Sequence, residues 1–223
     1  MKLRAGLKQL FIKYFPNVEG GRILFFLPKI REFDFSNSRC FDKREEIYDY
    51  VNRDFVSDTS MSYLEFGVYK GNSIKYWTKI NKNEDSEFIG FDTFTGLPEN
   101  WLTISGAMRK NHFDTNGIAP DIDDSRCRFI KGMFQDTLDA FLEQFHPKAQ
   151  LVIHNDSDLY SSTLFTLVTL RFFLKTGTII IFDEFSSPLH EMRALSDFAS
   201  SHLFKYTIIC HTKTFDQVAI VVS

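Results

Sequence analysis

Two short acidic segments stand directly after apolar runs: His154-Asn155-Asp156-Ser157-Asp158-Leu159-Tyr160, and Asp183-Glu184 behind Ile179 to Phe182. Carboxylates are ligands for hard cations and bases for hydroxyl protons. If the two runs are neighbouring strands, Asp156, Asp183 and Glu184 come within reach of one point, where they repel one another unless a cation sits among them. An oxygen-only donor set favours Mg²⁺ or a similar divalent cation. Helix capping accounts for isolated acids, but it accounts poorly for an adjacent pair behind an unbroken apolar run. Other chemistries use the same residue types. Asp156-x-Asp158 also fits the metal motif of a glycosyltransferase, or the nucleophile pair of an aspartyl phosphatase, although that pair normally ends the first strand of its domain. His154-x-Asp156 with His190 or His211 fits the facial iron triad of a hydroxylase, a site usually built on an antiparallel barrel. Otherwise His154 is a packing or supporting residue, and His112, His146 and His202 carry no signal.

A second constellation lies upstream. Glu65-Phe66-Gly67-Val68-Tyr69-Lys70-Gly71-Asn72-Ser73 carries a β-rich run into a helical one. Gly67 and Gly71 let the backbone approach a ligand, and free N–H groups near Asn72 and Ser73 can face an anion. Asp92 follows about 20 residues on, at the end of the next run, where an acid can accept both hydroxyls of a ribose. The pair of features points to a nucleoside ligand. The turn lacks the three glycines of the dinucleotide fingerprint and has no P-loop lysine. Glu65, just ahead of the turn, suits a ligand with positive charge, such as an amino group and a sulfonium.

The elements that must position these residues follow from hydrophobic pattern. Strands are expected at 62–68, 87–92, 127–132, 150–156 and 178–184, with helices at 71–80, 136–145, 160–174 and 188–203. That alternation predicts a doubly wound α/β sheet, mostly parallel. The runs 206–211 and 217–222 are too close for a parallel crossover, so they form an antiparallel C-terminal hairpin, giving a seven-stranded sheet. Residues 1–60 read as a helical N-terminal cap ahead of a domain spanning 61–223. Residues 93–126 form a long, weakly periodic connection expected to be a lid, with Leu97, Trp101, Met108 and Phe113 facing the site.

The 223 residues, 25% charged with a net charge of −3, fit one soluble domain and supply no overall basic field for nucleic acid. Cys40, Cys127 and Cys210 are scattered and odd in number, which points to reduced thiols and a cytoplasmic setting. Residues 2–15 pattern as a basic amphipathic helix, expected to dock on a partner subunit or over the site, with contact at a membrane surface as the alternative. Phenylalanine is the compositional outlier at 25 residues. Phe66, Phe91, Phe94, Phe182 and Phe185 each lie next to a candidate site residue, so part of the excess is expected to line the cleft.

Five blocks carry a family resemblance: Tyr63-Leu-Glu-Phe-Gly-Val-x-x-Gly-x-Ser73, Gly90-Phe-Asp-Thr-Phe-x-Gly-Leu-Pro-Glu-x-Trp101, Lys131-Gly-x-Phe-x-Asp-Thr-Leu138, His154-x-Asp-x-Asp-Leu-Tyr-x-Ser-Thr163 and Gly177-Thr-Ile-Ile-Ile-Phe-Asp-Glu-Phe185. In this order, over residues 62 to about 200, they resemble the macrocin O-methyltransferase family of class I S-adenosylmethionine-dependent enzymes. The resemblance implies a Rossmann-like methyltransferase fold and a metal-assisted O-methyltransferase acting on a hydroxyl, often of a sugar. By position, Glu65, Gly67, Val68, Gly71 and Ser73 would hold the methionine portion and Asp92 the ribose. Thr93 and Phe94 would lie near the adenosine, Gly132 and Met133 at the adenine, with Asp156 also touching the cofactor. Asp156, Asp183 and Glu184 would be the metal ligands, and Asp156 or Asp158 the base. Asn155 and Ser157 depart from the apolar residues usual between these acids, so the sequence does not separate the roles of Asp156 and Asp158. The expected partner is a small hydroxyl acceptor, such as a sugar or nucleotide-sugar, and a homo-oligomer is expected. The competing readings are a glycosyltransferase or hydroxylase built on the same acids, and a binding protein of the same fold without turnover.

Overall fold

The computed structural model describes residues 28–103 and 106–223. The expected helix at 2–15 lies outside the described residues. The chain forms an eight-stranded sheet in the order β1-β9-β10-β8-β7-β2-β3-β6, with helices on both faces. Five strands form its parallel body: β2 (Met61–Phe66), β3 (Glu87–Asp92), β6 (Cys127–Lys131), β7 (Gln150–Asn155) and β8 (Ile179–Phe182). Every residue of β2 and β8 is buried, as expected of strands covered on both faces. The hairpin of β9 (Tyr206–Thr212) and β10 (Val218–Val222) is inserted with β10 against β8, and β10 is the strand that runs against the rest.

The eighth strand, β1 (Arg39–Phe41), pairs in parallel with β9. It corrects the seven-stranded expectation and draws part of the N-terminal cap into the sheet. Its three residues are largely exposed at the sheet edge, so no apolar alternation announces it. Helix α1 (Arg44–Val51) follows, with Glu46 accepting the N–H groups of Asp42 and Lys43, both at 2.9 Å. It continues into a π-helical turn at Asn52–Val56.

Side-chain alternation along the strands separates two cores. Leu64, Phe66, Ile153, Ile180 and Phe182 face α3 (Phe134–Leu142), α4 (Tyr160–Leu170) and α5 (Glu191–His202). Tyr63, Val152, Ile179 and Ile181 face α1 and α2 (Asn72–Ile80). Glu65 and His154 are paired in register and share this second face, so two ionisable groups are buried beside each other under α1 and α2. From β2 the chain winds through β3 to β6, then returns to the other side of β2 at β7. The order reverses between β2 and β7, where sheets of this kind bind ligands beyond the strand ends. The long connection from β3 to β6 carries a small hairpin, β4 (Trp101–Thr103) with β5 (Gly106–Met108). Among the described residues no helix is long and apolar enough to cross a membrane.

Candidate active site

Beyond the carboxyl ends of β2, β3, β7 and β8 lies a cavity of about 470 Å³. Its floor is built by close backbone packing. Gly67, at φ +93°, closes β2, and a Cβ there would lie 1.9 Å from the carbonyl oxygen of Asp156. The turn after β2 and the turn after β7 are therefore in contact only because residue 67 has no side chain.

Asp92 organises the turn after β2. One carboxylate oxygen accepts the N–H groups of Val68 and Tyr69 at 2.8 Å each, and the other accepts that of Phe94 at 2.8 Å. The oxygen that accepts only the Phe94 N–H keeps a second lone pair, whereas the other has both of its lone pairs engaged. Asn72 and Ser73, the first residues of α2, also line the cavity, with Gly71 as the left-handed N-cap before them. Beneath them, Glu65 is fully buried. It accepts the Ser73 hydroxyl at 2.8 Å and the Tyr63 phenol at 2.5 Å.

The same phenol oxygen lies 2.8 Å from His154 Nδ1, and His154 Nε2 lies 3.7 Å from Asp183 Oδ1. Glu65, Tyr63 and His154 thus form a buried hydrogen-bonded chain whose last nitrogen faces Asp183 across 3.7 Å. Burial opposes charge on His154, yet Asp183 and Glu65 outweigh it and carry its pKa up to about 10. Burial likewise favours a neutral Asp183, but His154 and Arg44 hold its carboxyl below the ordinary range. Arg44, from the first turn of α1, reaches the cavity with its guanidinium 3.2 Å from Asp183 Oδ2. Asp156 and Asp158 move the other way: burial and neighbouring acids raise both well above the ordinary carboxylate value.

Backbone bonds fix the acids. The N–H of Asp156 donates to Phe66 O at 2.9 Å and that of Asp183 to Asn155 O at 3.0 Å, continuing the sheet ladder one residue past each strand. Gln217 Nε2 donates to Asp183 O, and the buried Glu191 accepts the N–H of Glu184 at 2.8 Å. Among the described residues, His154, Asp156 and Asp183 each offer a donor atom, all within 4.8 Å of one another. His154 Nε2 is buried without a hydrogen-bond partner. The carboxylates of Asp156 and Asp183 are hard oxygen donors that fit a divalent cation, with the charged His154 ring as the neighbour of Asp183 rather than a ligand.

Of the candidate residues, Gly67, Val68, Ser73, Asp92, Thr93, Met133, Asp156, Asp158, Asp183 and Glu184 line the cavity. Glu65, Gly71, Phe94 and Gly132 do not. Glu65 acts from below through Ser73, and Gly71 and Gly132 lie in the supporting turns. The Phe94 ring is fully buried edge-on to Phe129, so only its backbone serves the Asp92 turn. Glu184 lines the cavity but stands outside the tight cluster, where His154 takes the third place. His190 and His211 are held elsewhere, against Leu102 O and Thr212 O, which removes the further histidine that an iron triad requires. Leu97, Trp101, Met108 and Phe113, from the long connection between β3 and β6, line the cavity. Arg44 and Tyr63 went unnoticed in the sequence.

The profile of the macrocin O-methyltransferase (TylF) family matches residues 38–219. The chain belongs to that family. It is an S-adenosylmethionine-dependent O-methyltransferase, and its fold is that of the Rossmann-like enzymes of this class. Among solved structures, the calicheamicin methyltransferase CalS11 matches with a TM-score of 0.60 at 19% identity, over 79% of this chain and 77% of that one. The O-methyltransferase NovP matches with a TM-score of 0.61 at 21% identity, over 81% and 79%. The O-methyltransferase from Bacillus cereus, solved in complex with SAH, matches with a TM-score of 0.52 at 12% identity, over 98% and 97%. At these identities the likeness establishes the fold. No curated protein sequence matches the chain.

Proposed function

We propose that this family member methylates a hydroxyl of a sugar, free or nucleotide-linked, with the help of a divalent cation. The observation that carries the proposal is the direct seating of Gly67 on Asp156, which makes the donor turn and the acid cluster walls of one cavity. The acceptor class rests on CalS11, described as a TDP-rhamnose 3'-O-methyltransferase.

Methyl transfer is an in-line displacement at carbon, so the protein has to align the acceptor oxygen with the methyl group and take its proton. Bound here, S-adenosylmethionine supplies an electrophilic methyl group on a good leaving group, and a divalent cation lowers the acceptor hydroxyl's pKa. Asp92 would receive the ribose, while Gly67, Val68 and Ser73 would border the methionine portion, with Glu65 setting the Ser73 hydroxyl from beneath. Thr93 and Met133 would border the base. Asp156, Asp183 and Glu184 would hold the cation, with His154 backing Asp183. The clustering of Asp156 with Asp183 supports reading Asp156 as a cation ligand, which leaves Asp158, on the cavity wall outside that cluster, as the base. Leu97, Trp101 and Phe113 exclude water from above.

Calorimetric titration with S-adenosylhomocysteine tests the donor site; saturable binding that Asp92→Ala weakens is the expected result. Transfer of labelled methyl to nucleotide-sugars, with and without chelator, tests acceptor class and cation together. No transfer to any sugar while another hydroxyl class is methylated would overturn the acceptor assignment.

A further inference from the structure

His190 stands where three segments of the site meet. It is the N-cap residue of α5, which follows the Asp183-Glu184 turn. Its Nδ1 accepts the N–H of Tyr160, the first residue of α4 and two residues after Asp158, at 3.2 Å. Its Nε2 lies 2.6 Å from the carbonyl oxygen of Leu102 in the lid strand β4. The ring is nearly enclosed, at 7% exposure, and stands edge-on to the Trp101 indole.

These partners determine the tautomer. A backbone N–H only donates, so Nδ1 must present its lone pair, and a carbonyl only accepts, so Nε2 must carry the hydrogen. That ring is neutral. An imidazolium would point a second N–H at the Tyr160 N–H, and would add a positive charge at the positive end of α4. The ionisable groups around the ring come from each element packed on it: Glu99 on the lid, Tyr160 on α4, and Glu191, Arg193 and Asp197 on α5. Glu99 favours the charge, but its carboxylate already accepts the Ser161 hydroxyl at 2.5 Å. The Tyr160 phenol is turned away to Asp197, with the Arg193 guanidinium over its ring. Burial dominates and holds the His190 pKa below the ordinary histidine value.

We propose that His190 is a positioning residue that latches the lid over the cavity in its neutral form, and that protonation of its ring releases the lid. The wall at stake is the small apolar cluster of Leu97, Trp101 and Leu159 with Phe113 against it. Releasing Leu102 parts that cluster and opens the cavity to water. The latch involves neither the cation nor the acceptor, so it stands or falls apart from the proposed reaction.

The test is backbone hydrogen exchange of residues 97–102 and 107–113, corrected for intrinsic rates, in the full-length protein at about pH 7.5 and about pH 5.5. With the freed imidazole titrating near ~6.5, that step favours the open lid by up to about tenfold. The wild type is expected to lose up to about tenfold of its lid protection while β2, β7 and β8 keep theirs. His190→Gln, which keeps a donor and an acceptor but does not titrate, is expected to show no pH step. His190→Ala is expected to expose the lid at both pH values with the sheet protected. Lid protection unchanged by pH in the wild type, or a pH step that persists in His190→Gln, would overturn the proposal. Should His190→Ala fail to fold, the glutamine variant carries the test alone.

Discussion

Replacing Gly67 with alanine tests the contact on which the site is built. The new Cβ would stand 1.9 Å from Asp156 O and 2.7 Å from Asp156 C, both backbone atoms that cannot rotate away. A non-glycine residue at φ +93° costs about 1–2 kcal/mol of backbone strain, and forcing the turns apart adds about 1–3 kcal/mol of overpacking. Together these predict a loss of roughly 2–5 kcal/mol. Gly177 is the internal control: its φ is +92°, but a Cβ there meets nothing within 4 Å, so Gly177→Ala carries the strain alone. Urea denaturation of both variants measures the difference, which is the cost of the contact with Asp156. Titration with S-adenosylhomocysteine measures its effect on the donor turn, where a loss of affinity of at least about tenfold, or ~1.4 kcal/mol, is expected for Gly67→Ala alone. Equal destabilisation by the two variants, with unchanged ligand affinity in Gly67→Ala, would refute the reasoning.

Asp92→Asn removes the charge from an acceptor of three backbone N–H groups, so stability is expected to fall by about 1–3 kcal/mol, with weaker S-adenosylhomocysteine binding in the same titration. Phe94→Ala empties a fully buried site and is expected to cost about 3–5 kcal/mol in denaturation. Phe172→Ala, at a ring 67% exposed, is expected to stay within about 0.5 kcal/mol of the wild type. Tyr63→Phe leaves Glu65 Oε2 and His154 Nδ1 without their shared phenol, and is expected to destabilise the protein by about 1–3 kcal/mol while preserving the fold by circular dichroism.

The parallel body was legible because its strands are short, centred on apolar β-branched and aromatic residues, and separated by helix-patterned stretches. Asp92, Asp156 and Asp183 were legible for the same reason, since each is the carboxylate that directly follows or closes such a run. Arg44 was not: its contact with Asp183 spans 139 residues, and an arginine on an amphipathic helix carries no mark of its distant partner. Tyr63 reads as a strand aromatic, and only the pairing of β2 with β7 brings its phenol to His154. The phenylalanines teach the opposite lesson. Phe66, Phe91, Phe94, Phe182 and Phe185 neighbour site residues in sequence, yet all are fully buried and none lines the cavity. For Phe66, Phe91 and Phe182 the reason is that successive residues of a strand point to opposite faces, so adjacency to a site residue places a ring in the core beneath it. Phe113 and Phe134, from the lid and from α3, face the cavity instead.

The most direct measurement is transfer of labelled methyl from S-adenosylmethionine to a panel of free and nucleotide-linked sugars, by the wild type and Asp183→Asn, with Mg²⁺ and with chelator. Label is expected in a sugar methyl ether, with turnover falling by at least about a hundredfold on chelation and in Asp183→Asn. S-adenosylhomocysteine binding is expected to survive both changes. Transfer that persists undiminished under chelation and in Asp183→Asn would contradict the account.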